Sequence, residues 1–437
     1  MNITVIGCGY VGLVTAACLS DIGHNVVCLD KDGVKIKSLN KGKIPIYENG
    51  LKELIDFNIK EKRLSFTTSY KIAIKHSDVI FLAVDTPAQE NGSADLTNIK
   101  NSCTSISEHM SNEKIIIEKS TTPVGTSEIL SKLIKLNLKK LNKNIKFSIV
   151  SNPEFLKEGV AINDFMKPDR IIIGLDDDKL KEIFKEIYLP FNRKSNKIQF
   201  MSVKSAELTK YASNAMLATK ISFINEMANL ADFLDVDIED VRKGIGADKR
   251  IGSEFLYPGC GYGGSCFSKD IEALLSTAKK HSFKMKLLES VKTVNDNQKN
   301  ILFNKLSKFY KNKLNNKNIA VWGLSFKPKT DDVRDAPSIQ LIKLLLSKNV
   351  FVNAYDPVAS LKHIITSNKY REHKSAKKTL ESADALVICT EWKEFWSINL
   401  NIFSTIKDKV IFDGRNIYSP EKMQEAGIDY YAIGRGK

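Results

Sequence analysis

The stretch Gly263-Gly264-Ser265-Cys266-Phe267-Ser268-Lys269-Asp270 sets one cysteine between a glycine-rich loop and a Lys-Asp pair. Glycines leave space and free backbone N–H groups around the sulfur. A cation and a carboxylate within one turn of a beginning helix are the surroundings that turn a thiol into a nucleophile. A glycine-rich turn around an inert buried cysteine fits the same letters, so the stretch alone leaves both readings open. Two further pairs stand at helical spacing. Glu154 and Glu158 share a face if the segment is helical after Pro153, and paired carboxylates can separate their pKa values so that one serves as a base. An ordinary helix start with solvated glutamates is the alternative. Lys210 and Asn214 lie in an unbroken helical pattern, where a lysine can stabilise a developing alkoxide and an amide can donate to substrate or water. A lone surface lysine is the bland reading of the same position.

These residues need elements to hold them. Gly7-Cys8-Gly9-Tyr10-Val11-Gly12 follows a short apolar strand at 2–6 and opens an apolar helix over 11–22. A second strand at 26–29 then ends at Asp30, which completes a βαβ unit. In that context Gly7 and Gly9 permit a tight turn and close approach of a pyrophosphate to the helix N-terminus. Asp30 would bind a ribose 2′-hydroxyl and repel a 2′-phosphate, which favours NAD over NADP, although Lys31 and Lys35 lie close by. Thr86-Pro87 follows a strand at 79–84, and Lys119-Ser-Thr-Thr-Pro-Val-Gly125 follows one at 114–118. Both put hydroxyls just past strand C-termini, where ligands of open α/β sheets bind. Either could be a structural turn; together they favour a cofactor rim.

With a further strand at 146–150, an alternating βα domain fills residues 1–200. A helical pattern without proline or glycine then runs over 202–233, long enough to span roughly 45 Å. It is expected to link two domains and to supply a dimer surface. Strand signals return at 319, 350–356, 385–390 and 410–413, and Ala-Val-Trp-Gly323 and Asn-Ala-Tyr-Asp356 echo Thr-Val-Ile-Gly7 and Val-Cys-Leu-Asp30. The expected fold is α/β, with two Rossmann-like doubly wound lobes joined by a long central helix. Residues 1–200 are expected to form an N-terminal NAD-binding domain, 201–300 a central helical dimerisation and active-site region, and 301–437 a C-terminal Rossmann-like domain.

Bulk properties narrow the class. A chain of 437 residues is too long for one ordinary core. Its 43% hydrophobic and 27% charged residues are globular. No stretch approaches the roughly 18 uninterrupted apolar residues of a membrane span, and the N-terminus lacks the basic region of a signal peptide. The seven cysteines show neither a disulfide framework nor ligand spacing for zinc, so no metal site is expected and a reducing cytoplasm fits. The net charge of +15 comes from lysines scattered along the chain, as in 136–146 and 308–318. Nucleic-acid binding would cluster them on one element, so no nucleic-acid partner is expected.

Taken in order, Gly-Cys-Gly-Tyr-Val-Gly12, Lys119-Ser-Thr-Thr-Pro-Val-Gly, Ser151-Asn-Pro-Glu-Phe-Leu-Lys-Glu-Gly, Phe255-Leu-Tyr-Pro-Gly-Cys-Gly-Tyr-Gly-Gly-Ser-Cys-Phe and Gly323-Leu-Ser-Phe-Lys-Pro-Lys-Thr-Asp-Asp-Val-Arg resemble the UDP-glucose/GDP-mannose dehydrogenase family over essentially the whole chain. Within it the chain looks like the UDP-glucose 6-dehydrogenase branch. The UDP-N-acetylmannosamine branch usually has a histidine where this chain has Ser265, and that substrate, or another nucleotide sugar, is the alternative. The resemblance implies an NAD-dependent four-electron oxidation of UDP-glucose to UDP-glucuronate, through a thiohemiacetal and a thioester on Cys266. It implies that Asp270 and Lys210 flank the C6 oxygen, that Asn214 helps hold the oxyanion, and that Glu154 is a base with Thr121 close by. Gly7, Gly9, Val11, Gly12, Asp30, Lys35, Thr86, Thr121, Glu158, Lys269 and Arg334 correspond to cofactor positions. Substrate positions are Glu154, Phe155, Leu156, Lys157, Glu158, Lys210, Asn214, the loop Phe255, Leu256, Tyr257, Pro258, Gly259, with Gly263, Lys327 and Arg415. Arg250 corresponds to a residue that reaches the substrate of a dimer partner. Two positions depart from the family: Ser268, where many relatives have proline, and Asp85, where glycine or asparagine is common.

Overall fold

Residues 1–191 and 196–435 are described by the computed structural model of the chain. They form two compact units: Met1–Ser213 with Glu272–Ser282, and Asn214–Ile271 with Phe283–Lys437.

The first unit is built on an eight-stranded sheet. Its strands are β1 (Asn2–Ile6), β2 (Asn25–Leu29), β3 (Leu64–Thr67), β4 (Val79–Leu82), β5 (Lys114–Glu118), β6 (Phe147–Ser151), β7 (Ile171–Gly174) and β8 (Ile198–Met201). They are ordered β3-β2-β1-β4-β5-β6-β7-β8. Every neighbouring pair is parallel except β6 and β7. Strands in such a sheet are covered on both faces and read as continuous apolar runs. Ile3 and Val5 join one core cluster while Ile6, Leu29 and Leu82 join another, which places apolar layers on the two faces. The order reverses between β1 and β4, so the loops after these strands open at the crevice where doubly wound sheets take ligands. Gly7, at the end of β1, has φ of +106°, and a Cβ there would come within 2.4 Å of the Ala83 carbonyl oxygen. A Cβ on Gly12 would meet the Gly7 oxygen at 1.8 Å. Only glycine lets the helix Tyr10–Asp21 start this close to the strand ends.

The second unit repeats the plan. Strands β9 (Asn318–Trp322), β10 (Phe351–Tyr355), β11 (Tyr370–Glu372), β12 (Ala385–Ile388), β13 (Val410–Asp413) and β14 (Asp429–Tyr431) form an all-parallel sheet ordered β11-β10-β9-β12-β13-β14. The sequence echo between the lobes is thus an echo of topology. After β10, Asp356 turns its carboxylate onto its own surroundings. One oxygen accepts from the Leu324 and Ser325 N–H groups (2.7 and 3.1 Å), the Ser325 hydroxyl (3.2 Å) and the Trp392 indole N–H (3.0 Å). The other accepts from the Val358 and Ala359 N–H groups at 2.9 and 2.8 Å.

A 32-residue helix, Val203–Leu234, runs from the first unit into the second, as the unbroken pattern over 202–233 anticipates. Among the described residues no helix is long and apolar enough to cross a membrane.

Candidate active site

In the first unit, Asp30 sits where the glycine-rich turn meets β2. The Cys8 N–H donates to one of its oxygens (2.8 Å) and the Asp32 N–H to the other (2.9 Å), while the Lys35 ammonium lies 3.0 Å away. Burial alone would raise the Asp30 carboxyl, but these donors and the Lys35 charge hold it below the usual carboxylate value. It is therefore an ionised acceptor at neutral pH. Lys31 turns instead to Asn98, with Nζ 2.9 Å from Oδ1. Gly9 and Val11 begin the helix beside this carboxylate. The Thr86 hydroxyl donates to the Thr121 carbonyl oxygen at 2.7 Å. The two Thr-Pro loops are thus brought together as one rim.

The segment after β6 corrects one expectation: 152–157 is not helical. Glu154 and Glu158 do not share a helical face. Glu154 folds its carboxylate back so that Oε2 accepts the Leu156 N–H at 2.7 Å, a local bond that competes with a helical turn. The chain then turns through Gly159, whose φ is +81° and whose N–H points at Glu48 (2.7 Å) and the Tyr10 hydroxyl (2.8 Å). Glu154 Oε1 receives the Lys210 ammonium at 2.7 Å, both side chains being buried. Burial pushes the Glu154 carboxyl up, yet the Lys210 charge and the hydrogen bonds bring it below its ordinary value. Glu158 is half-buried, and Lys157 pairs with Asp164 at 3.4 Å. The Phe155 ring lies under the Arg170 guanidinium (3.8 Å) and near Lys210 (5.5 Å).

Lys119 joins this cluster, although its motif draws attention first to the hydroxyls beside it. It is buried, with Nζ 3.3 Å from Asn152 Oδ1 and 5.9 Å from the centre of the Phe165 ring. Burial brings its ammonium down to about 8, with Glu154 opposing and Lys210 adding to the shift. Two ammonium groups thus bear on one buried carboxylate.

In the second unit, Cys266 immediately precedes the helix Phe267–Lys280, and the Asp270 N–H closes the first turn on the Cys266 carbonyl oxygen at 2.9 Å. All seven cysteines are free thiols; six are buried and Cys266 is partly exposed. Its sulfur lies 3.6 Å from the Ser265 hydroxyl. Asp270 is buried; Oδ2 accepts from the Asn214 amide at 2.6 Å, and Oδ1 lies 3.5 Å from the Lys269 ammonium. The Phe267 ring packs edge-on against Tyr262 (5.6 Å) and Phe255 (6.3 Å), which fixes the start of the helix. Gly264, with φ of +87°, donates to the Arg334 carbonyl oxygen at 2.8 Å, and Gly263 backs onto the Asp335 carbonyl.

Ser268 donates to Asp335, which also takes Lys299 at 2.5 Å. The hydroxyl at this departing position therefore ties the first turn of the helix to the loop that carries Arg334. Of the 255–259 loop, Leu256, Pro258 and Gly259 are buried, whereas Tyr257 is exposed under Arg242. Gly259 abuts Arg415, whose Nε donates to the Cys389 carbonyl oxygen (2.7 Å) and lies 3.2 Å from Glu391. Lys327 lies near the Phe326 ring at 5.5 Å, and Arg334 pairs with Asp332 at 2.7 Å. Arg250 is exposed and pairs with its near neighbour Asp248 at 2.6 Å. Among the described residues no three potential metal ligands converge.

A doubly wound sheet with a glycine-rich cradle, and an ionised acid at the end of its second strand, defines an α/β enzyme of the dinucleotide-binding class. Residues 1–192 match the NAD binding domain, 204–297 the central domain and 320–420 the UDP binding domain of the UDP-glucose/GDP-mannose dehydrogenase family. The chain belongs to that family. It is 42% identical over 442 residues to the UDP-glucose 6-dehydrogenase of Pseudomonas aeruginosa, covering all of this chain and 98% of that one. It is 43% identical over 442 residues to the UDP-glucose 6-dehydrogenase YwqF of Bacillus subtilis, at the same coverage. Among solved structures, a UDP-glucose dehydrogenase from Pyrobaculum islandicum aligns at a TM-score of 0.90 and 33% identity, over 99% of this chain and 97% of that one. A UDP-D-ManNAc dehydrogenase from Pyrococcus horikoshii aligns at 0.88 and 28% over the full length of both.

Proposed function

We propose that the chain oxidises the C6 alcohol of UDP-glucose to the carboxylate of UDP-glucuronate, consuming two NAD. The observation that carries the reading is Cys266: the one partly exposed cysteine of seven, set at a helix start beside the buried Asn214–Asp270 pair. Free N–H groups and aligned peptide dipoles at such a position favour negative charge on sulfur. The similarity to UDP-glucose 6-dehydrogenases over the whole chain supports the substrate.

NAD fits the cradle of Gly7, Gly9 and Gly12, with Asp30 as the ribose acceptor and Lys35, Thr86, Thr121 and Glu158 in the same unit; the family resemblance adds Lys269 and Arg334 as cofactor positions. Bound there, it accepts a hydride from carbon. Loss of the first hydride and of the hydroxyl proton gives a C6 aldehyde. The Cys266 sulfur adds to that carbon, and the oxygen takes a proton, giving a thiohemiacetal. Loss of a second hydride and proton gives the thioester. Water, deprotonated by Glu154, then attacks the carbonyl carbon; the C–S bond breaks and the sulfur regains its proton. Lys210 and Asp270 flank the C6 oxygen, Asn214 helps Lys210 hold its negative charge, and the Asp270 carboxylate orients the Asn214 amide. The 255–259 loop, Gly263, Lys327 and Arg415 hold the UDP-sugar, basic side chains suiting a pyrophosphate diester.

In this reading 1–200 binds NAD, 201–300 carries the active-site cysteine and the dimer surface, and 301–437 binds the UDP-sugar. Seven free thiols suit a reducing cytoplasm. Titration with limiting UDP-glucose should give two NADH per sugar, with no turnover of UDP-N-acetylmannosamine. One NADH per sugar would sink the four-electron reading, and turnover of the second sugar would sink the choice of substrate.

The same reading makes the enzyme a homodimer. Met216, Phe223 and Leu230 recur every seven residues on the long helix and are 62%, 48% and 48% exposed, with Phe233 and Leu234 continuing the apolar stripe. Substituting Phe223→Glu together with Leu230→Glu should convert the sedimenting species to monomer. An unchanged dimer would remove this face from consideration.

A further inference from the structure

We propose that Glu118 and Glu207 share one proton through Ser127, and that this protonated link locks the Thr121 loop to the turn of the long helix that bears Lys210. Glu118 ends β5, directly before Lys119 and the Thr121 loop, and Glu207 lies on the long helix one turn before Lys210. Both are buried, as are Thr122 and Ser127 around them.

The Ser127 hydroxyl oxygen lies 2.6 Å from Glu118 Oε2 and 2.8 Å from Glu207 Oε1. A hydroxyl has one hydrogen and can donate to only one of these carboxylates. The other contact is a hydrogen bond only if that carboxyl donates, so one of the two glutamates is a neutral acid. Which one follows from the remaining partners. Glu207 already accepts the Gly125 N–H at 2.6 Å and the Ser127 N–H at 3.0 Å. It stands at the N-terminus of the helix Thr126–Lys140, whose N-cap, Gly125, has no side chain to offer. Negative charge on this side is thus met by two main-chain donors and by the helix dipole. Glu118 meets hydroxyls instead, Thr122 at 2.6 Å from Oε1 and Ser127, with the Glu207 carboxyl itself also beside it. The proton therefore resides on Glu118, which donates to Ser127, which donates to Glu207.

Other elements add little charge of opposite sign. The buried Cys103 thiol faces Glu118 from the helix Thr97–His109 and stays protonated. On the Glu207 side Lys204 is engaged by Glu128 at 2.6 Å, with Asp176 also acting on it. Burial, and then the charge of Glu207, push the Glu118 carboxyl up to about 7. Because the folded value lies above the ordinary 4.5, the link contributes its full stabilisation below that value and loses it as pH rises to about 7. Above that, two buried carboxylates repel across Ser127, and the cap on helix Thr126–Lys140 loosens together with the rim of Thr121.

Glu118, Ser127 and Glu207 are positioning residues, and the consequence for cofactor affinity rests on the placement of Thr121 proposed above; the proton itself does not. Infrared spectra of the full chain with 13C-labelled glutamate, at about pH 6, should show the carbonyl stretch of a neutral carboxylic acid that vanishes in Glu118→Gln. No such band, or a band that survives the substitution, overturns the shared proton. Fluorescence titration with NAD alone should show Kd rising several-fold from about pH 6 to about pH 8 in the native chain and staying flat in Glu118→Gln. Parallel profiles, with the infrared band in place, would overturn the coupling to the rim alone. Should Glu118→Gln not fold, Ser127→Ala, which removes the relaying hydroxyl, should shift the same band; an unshifted band overturns the proposal.

Discussion

Replacing Cys266 with alanine should lower formation of the sugar carboxylate on the order of 10⁴-fold or more, the scale on which removal of a covalent nucleophile acts. The expectation rests on the role proposed for the sulfur between two oxidations. An aldehyde at C6 cannot give up a second hydride until a nucleophile adds to it, and without the thiol only water, unpositioned, is available. The fold should be little affected, because the side chain is partly exposed and no core cluster includes it. Cys266→Ser gives the sharper test. Its hydroxyl can add to the aldehyde and be oxidised to an ester, but an alkoxide leaves far less readily than a thiolate. That variant should show slow formation of about one covalent sugar nucleotide per chain by mass spectrometry, with turnover nearly lost. Two NADH per sugar at native rates in Cys266→Ala would end the covalent mechanism.

The second large effect is expected at Lys210. Removing its ammonium leaves the buried Glu154 carboxylate with the Leu156 N–H and the more distant charge of Lys119. Breaking a buried pair in this way costs about 3–5 kcal/mol, and Lys119 should hold the loss near the lower figure. Lys210→Met should also lower kcat by about 10²–10³, the usual scale for one donor to a developing oxyanion. The pH dependence has a definite sign. In the native chain Glu154 titrates below its ordinary value, so its stabilisation is present above the ordinary carboxylate range and lost as pH falls through the lowered value. In Lys210→Met the carboxyl rises, and acidification should narrow the stability deficit. Adding Glu154→Gln to Lys210→Met should recover much of that deficit, since no unpaired charge is then buried. Strictly additive losses, read from chemical denaturation, would show that the pair is not coupled.

Both arguments rest on contacts that were unevenly legible in the sequence. The βαβ start was plain because apolar strands, glycines and Asp30 fall at local spacings, and steric demands at Gly7 and Gly12 act within a few residues. The long helix was plain because an apolar pattern ran without a breaker. The segment 152–157 was misjudged because the four-residue spacing of Glu154 and Glu158 suits a helix, while the pull of Lys210, 56 residues on, leaves no trace in that spacing. Strand β5, Lys-Ile-Ile-Ile-Glu, shows the same limit. It carries ionisable residues at both ends, and Lys114 is buried against Asp78 at 2.8 Å while Glu118 is buried beside Ser127 and Glu207. A buried ionisable group declares itself through a partner, and those partners are 36 and 89 positions away. Lys119 was hidden in the same way, behind the more eye-catching hydroxyls of its own motif.

The saturated carboxylate of Asp356 bears on the timing of turnover. A carboxylate offers about four lone-pair sites, and the donors from Leu324, Ser325, Trp392, Val358 and Ala359 already exceed them. The acid that could mirror Asp30 is therefore closed to a ribose, which on the proposed reading leaves the cofactor to the Asp30 cradle. If turnover takes the two oxidations proposed, spent cofactor must depart from that cradle and fresh cofactor must arrive while the half-oxidised sugar waits. The residence time of that sugar, and not its affinity, then becomes the quantity on which the yield of fully oxidised product depends.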